Sequence, residues 1–128
     1  MSRTSLLKIV LVLTGIAFLL IYPLAIVWPS GWAWHQGAPY ASDYYMMIVG
    51  VYATLGVFLI LAARDPAANR SLIWFTVWSS LVHGGIMAGQ ALQMPEHMGH
   101  LYGDVPALII VAAVLAFLLQ GETRTATA

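Results

Sequence analysis

The sequence predicts an all-α protein: a four-helix transmembrane bundle whose N and C termini are both cytoplasmic. Only 8 % of the 128 residues are charged and 61 % are hydrophobic, whereas a soluble domain is usually about 25 % charged. The apolar residues fall into long blocks without the alternation of a β-strand, which is typical of membrane helices. This small number of charged residues cannot cover a water-exposed surface. We therefore expect the protein to be embedded in a lipid bilayer. The zero net charge gives no indication of a nucleic-acid partner.

The apolar blocks predict one membrane domain, residues 1–128, with spans at about 6–28, 44–63, 71–92 and 105–119. The first block would be roughly 34 Å long as a helix, enough to cross a hydrocarbon core of about 30 Å. It is too long for a secretory signal peptide and no cleavage site follows it, so we expect a retained span. Pro23 cannot donate a backbone hydrogen bond and should kink this helix near Tyr22.

Polar turns separate the later spans. Ser42 or Asp43 is the expected N-cap of the second helix, and Pro66 lies in the turn that ends it. The fourth span is short, because residues 105–119 would cover only about 22 Å as a helix. We therefore expect the preceding Met- and His-rich segment, residues 93–100 (the Met/His turn), to dip below the membrane surface and to be surrounded by protein.

The positive charges predict the orientation. The sequence contains five Lys and Arg residues, namely Arg3, Lys8, Arg64, Arg70 and Arg124. With four spans, all five fall on the same side of the membrane. This is the positive-inside pattern, so we expect both termini in the cytoplasm and the Met/His turn on the outer side.

Polar groups from several spans should meet beneath the outer side. Counting residues along each helix places Tyr52, Thr54 and His83 near the membrane midplane, and helical periodicity puts His83, Met87 and Gln90 on one stripe. Intramembrane polar groups normally face the interior of the bundle. The sequence therefore predicts an outward-opening pocket that binds a small lipophilic molecule or a cofactor of unknown identity. Its expected ligand-binding residues are Tyr52, Thr54, His83, Met87, Gln90, His100 and Asp104.

Three alternatives remain open. His83 and Asp104 are also compatible with structural roles, as a neutral hydrogen-bonded histidine and as the N-cap of the fourth helix. A stripe of small residues would let another helix approach closely, which favours an accessory subunit of a membrane complex or a homo-oligomer. The stripe consists of Ser80, Gly84, Ala88 and Ala91. Finally, His97 and His100 are three residues apart and lie near two methionines, which favours an outer copper or zinc site.

No catalytic residue is predicted. The chain has no cysteine, no glycine-rich phosphate loop and no GxSxG sequence. Whether the protein is an enzyme is therefore left open, because no positive catalytic motif is present.

Several short runs together resemble a known family. They are GVYATLG (50–56), ARDP (63–66), SLIWF (71–75), SSLVH (79–83) and GHLYGDVPAL (99–108). The chain resembles a family of small four-helix bacterial membrane proteins of unknown function, and more distantly its layout is similar to DoxX-like proteins. The resemblance implies a multi-pass protein of the bacterial cytoplasmic (inner) membrane. It implies no reaction, since fold does not determine function.

Overall fold

The computed structural model describes the backbone of residues 1–125 and the side chains of residues 1–120. Six α-helices and two 3-10 segments make up this part of the chain, and no strand occurs within it. The helices are α1 (Arg3–Leu19), α2 (Ile21–Val27), α3 (Pro29–Trp32), α4 (Asp43–Ala62), α5 (Arg70–Gln93) and α6 (Asp104–Thr125). The 3-10 segments are Pro39–Ala41 and Pro95–Tyr102. The predicted all-α class is confirmed.

Three segments are long and apolar enough to cross a membrane, which indicates a membrane protein. They are Asp43–Ala62, Arg70–Gln93 and Pro95–Gln120. A fourth is obtained if α1 and α2, which are bent by 55° at Leu20, form one broken span. The break lies close to the kink predicted near Tyr22, because Pro23 cannot donate a hydrogen bond to the preceding turn. The four-span arrangement itself stays a prediction.

The last helix is longer than predicted. It runs from Asp104 to Thr125, 22 residues, whereas the apolar block alone indicated residues 105–119. The prediction stopped at the first polar residues, but Gln, Glu and Arg are good helix formers and do not end a helix. A short fourth helix therefore cannot be the reason for the position of the Met/His turn.

The helices pack most tightly at the end that carries the N terminus of α1. The α1 helix lies along α4, α5 lies along α6, and α1 also contacts α6. The largest fully buried apolar side chains all belong to this end: Leu7, Leu11, Leu59, Ile73, Leu115 and Leu119. In contrast, α4 and α5 follow each other in sequence but have few contacts beyond their connecting turn. The other end of the bundle is therefore less well filled.

A glycine pair sets the distance between α1 and α4. A Cβ atom on Gly15 would lie 2.5 Å from the carbonyl oxygen of Gly56, and one on Gly56 would lie 2.6 Å from that of Gly15. Only glycine permits this close approach of two backbones. By comparison, a Cβ on Gly50 in the same α4 helix would meet no atom within 4 Å.

The small-residue stripe on α5 is covered within the chain. Ser80, Gly84 and Ala91 are buried, and a Cβ on Gly84 would lie 3.4 Å from the Cβ of Leu108 on α6. This face therefore packs against α6 of the same chain, and association with a partner protein or a second copy stays a prediction.

Arginine side chains gather around the C-terminal half of α6. Arg3 donates from Nε to the carbonyl oxygen of Leu118 at 3.1 Å and also binds that of Phe117, while Arg70 donates to the carbonyl oxygen of Leu119 at 3.5 Å. Cations are favoured near the negative end of a helix dipole. Two of the positive charges that the sequence places on one side of the membrane, Arg3 and Arg70, therefore bind the same part of α6. The orientation of the protein in the membrane stays a prediction.

Candidate functional site

A cavity of about 560 Å³ lies at the loosely packed end of the bundle. Its two long walls come from α4 and α5, which separate as they leave their connecting turn. The α4 wall presents Tyr44, Ile48 and Tyr52, one turn apart from each other, and the α5 wall presents His83 and Gln90. The back of the cavity is formed by apolar residues of α1 and α6. This volume falls within the roughly 300–1,000 Å³ typical of small-molecule sites.

Tyr52 and His83 meet across the cavity. Their ring centroids are 5.5 Å apart with an interplanar angle of 82°, and Phe18 packs edge-on against Tyr52 with centroids 4.9 Å apart. Among the residues whose side chains are described, none forms a hydrogen bond with the Tyr52 hydroxyl or the His83 imidazole. Both groups can donate and accept hydrogen bonds. They therefore offer unused hydrogen-bonding capacity to a molecule in the cavity.

Asp104 lies at the polar end of the cavity. One carboxylate oxygen accepts a hydrogen bond from Trp34 Nε1 at 2.7 Å, and His100 Nδ1 is 3.0 Å from both oxygens. His100 is only 1 % exposed and Asp104 only 6 %. Because a carboxylate can only accept, Nδ1 must carry the hydrogen. The carboxylate thus satisfies the buried donor of His100 and the half-buried donor of Trp34, and it still has accepting capacity toward the cavity.

Trp34 also covers the histidines of the Met/His turn. Its ring stacks on His100 with centroids 3.9 Å apart and tilts over His97 at 4.9 Å. Stacking and the bond to Asp104 together leave the indole little freedom. Trp34 therefore links the loop after α3 to the start of α6.

Two glycines explain how His100 is buried although most of the Met/His turn is exposed. A Cβ on Gly103 would lie 2.8 Å from the Cα of Gly31, and one on Gly99 would lie 3.0 Å from the carbonyl carbon of Ser30. The Pro95–Tyr102 segment thus packs backbone to backbone on α3. This contact, rather than a short fourth helix, holds His100 inside the protein.

A comparison with protein families agrees with the resemblance that the short sequence runs indicated. The profile of a family of unknown function, DUF6632, matches residues 1–127. The chain belongs to this family. No curated protein and no solved structure matches the chain. The bacterial source and the DoxX-like layout stay predictions.

Five of the seven predicted ligand-binding residues of this DUF6632 protein line the cavity. They are Tyr52, His83, Met87, Gln90 and Asp104. His100 lies behind Asp104 and reaches the cavity only through that carboxylate. Thr54 is exposed outside the cavity, where its hydroxyl donates to the carbonyl oxygen of Gly50 at 2.9 Å. The structure thus brings most of the predicted set together and leaves Thr54 out.

The predicted roles of Asp104 as an N-cap and of His97 and His100 as metal ligands receive no support. The Asp104 carboxylate bonds to side chains, and within residues 1–120 no backbone amide of α6 donates to it. The rings of His97 and His100 are 5.8 Å apart, and His100 Nδ1 is already bonded. In the described part of the chain, no three His, Asp or Glu side chains are placed to hold a metal ion.

The ligand-binding residues predicted from the sequence did not include Trp32 or Trp34. Both line the cavity. The Tyr45 hydroxyl donates to the backbone carbonyl of Trp32 at 2.8 Å and holds this loop against α4. The indole N–H of Trp32 is buried and has no hydrogen-bond partner among the described residues. The glycines and prolines around these residues permit the loop to fold inward, but no local pattern indicates that it does.

Proposed function

We propose that this protein is an integral membrane protein that binds a small lipophilic molecule or cofactor in the cavity between α4 and α5. The observation that carries the proposal is the meeting of Tyr52 and His83 inside the cavity, where neither side chain has a hydrogen-bond partner among the described residues. Both side chains are half-buried. Polar groups within membrane spans normally have partners, and a bound molecule would supply them here.

The chemistry of the walls favours a ligand with a polar ring or head and an apolar body. Met87 and Leu108 are nearly buried and provide apolar contact surface. Tyr52 and His83 would orient a carbonyl or hydroxyl oxygen, and Asp104 would accept a hydrogen bond from a donor on the ligand. A quinone is one molecule of this class. The site offers binding groups, and it carries no recognised catalytic motif.

The proposed setting is the bacterial cytoplasmic membrane, with four spans and both termini in the cytoplasm. The cluster of arginines at one end of the bundle supports this orientation. The cavity would then lie in the outer half of the membrane, at the opposite end from those arginines.

A retention experiment tests the proposal. Wild-type protein, purified gently from membranes, is expected to carry a small molecule that mass spectrometry of extracted lipids separates from bulk phospholipid. His83→Ala should lose most of this molecule. Ser79→Ala is the matched control, because Ser79 is one turn away on α5 and bonds to the carbonyl oxygen of Thr76 outside the cavity. A wild-type extract that contains only bulk phospholipid would refute the proposal.

A further inference from the structure

We propose that the cavity opens sideways into the bilayer, between α4 and α5, and that its ligand is a membrane-dissolved amphiphile whose tail leaves through this opening. This inference rests on the proposed function and adds the route and the class of ligand. It replaces the expectation that the pocket opens outward to water.

The exposed lining residues locate the opening. Tyr44 is 81 %, Ile48 41 % and Ile86 58 % exposed, although all three line the cavity. Tyr44 and Ile48 belong to α4 and Ile86 belongs to α5, so the opening is framed by the two helices that separate from each other. Below it, the contact between Tyr52 and His83 closes the gap.

Much of the remaining lining is closed by packed side chains, although Ala17 on α1 and Gln90 on α5 are also exposed. Phe18 on α1 and Leu108 on α6 are 5 % and 7 % exposed, and they form part of the back wall. At the polar end, Trp34 is bonded to Asp104 and stacked on His100, and the loop that carries Trp34 packs on the Met/His turn. A molecule that entered from water at this end would have to displace these contacts.

The opening faces hydrocarbon if the helices span the membrane. Both of its rims lie within the segments Asp43–Ala62 and Arg70–Gln93, each of which can cross a membrane. Ile48 is five residues beyond the start of α4, which places it roughly 7 Å along the helix. The opening therefore lies in the leaflet on the Asp104 side. A head bonded to Tyr52 and His83 would direct its tail past Ile48 and Ile86 into that leaflet.

Because the chain has no cysteine, single cysteines allow the opening to be blocked after the protein has folded. Ile86→Cys is labelled with N-benzylmaleimide, and Val82→Cys, labelled in the same way, is the control. Val82 is one turn from Ile86 on the same helix and is equally exposed, at 60 %, but it does not line the cavity. Each protein is reconstituted in phosphatidylcholine vesicles.

The probe is decylubiquinone, a quinone with a saturated alkyl tail. Stopped-flow addition is followed by quenching of tryptophan fluorescence, since Trp32 and Trp34 line the cavity. The part of the saturable quenching that is absent in His83→Ala is assigned to binding in the cavity. Quenching that remains in this variant is assigned to quinone elsewhere in the bilayer. We expect the label at position 86 to slow this saturable phase about tenfold, because association falls when access is obstructed. The label at position 82 should leave the rate unchanged.

The outcomes distinguish the two proposals. Equal rates for the labels at positions 86 and 82, with saturable quenching intact, would overturn the lateral opening and leave the proposed function standing. Absence of saturable quenching in the unlabelled protein would overturn both.

Discussion

Removal of the Asp104 carboxylate should destabilise the protein strongly. In Asp104→Ala, Trp34 Nε1 and His100 Nδ1 both lose their acceptor, at present 2.7 and 3.0 Å away. A buried donor left without a partner costs about 1–3 kcal/mol and the half-buried Trp34 adds less than that, so the expected loss is roughly 2–4 kcal/mol in the free energy of unfolding. Water that entered from the adjacent cavity would accept hydrogen bonds from these donors and reduce the loss of free energy of unfolding toward the lower value. Asp104→Asn should fall in between, because its amide oxygen still accepts while its NH₂ group faces a donor.

The assay is reversible unfolding in detergent micelles, followed by circular dichroism. Asp43→Ala is the control, because Asp43 is an exposed acidic residue in the first turn of α4 and should cost less than about 1 kcal/mol. If Asp104→Ala were no more destabilising than Asp43→Ala, the carboxylate would not hold Trp34 and His100 together as the structure indicates.

The same assay checks three further predictions. Gly56→Ala should cost about 1–3 kcal/mol by forcing α1 and α4 apart, whereas the methyl group of Gly50→Ala on the same helix meets no atom within 4 Å; equal losses would contradict the close crossing. Gly103→Ala should also cost about 1–3 kcal/mol, because its methyl group meets the α3 backbone, and an unchanged midpoint would argue against this packing. Trp34→Phe keeps a ring over His100 but removes the donor to Asp104, so it should cost about 1 kcal/mol. Trp34→Ala should cost more, and an equal or smaller cost would show that stacking on His100 contributes no stability.

Local signals predicted the second and third helices almost to the residue. The expected ranges 44–63 and 71–92 compare with Asp43–Ala62 and Arg70–Gln93. Ser42 caps α4 by accepting a hydrogen bond from the backbone N–H of Tyr45 at 3.2 Å, as its residue type indicates. Apolar length and capping residues act within a few positions of the chain, so they can be read without a structure.

The side of the helix on which a residue lies explains which of the predicted ligand-binding residues line the cavity. His83, Met87 and Gln90 were chosen by helical periodicity, and all three line the cavity. Thr54 was chosen by depth alone. Two residues along a helix turn the side chain by about 200°, so Thr54 points away from the side of α4 that carries Tyr52.

The amino-acid pattern alone is sufficient to predict a helical protein suited to a membrane, because long apolar blocks must satisfy their backbone hydrogen bonds internally. The three-dimensional packing was needed to show that α4 and α5 separate, that α6 covers the small-residue stripe, and that Trp34 folds inward to Asp104. The last contact joins residues 70 positions apart. Such pairings depend on how whole helix faces and backbones fit together in space, and no periodic pattern along the chain encodes them.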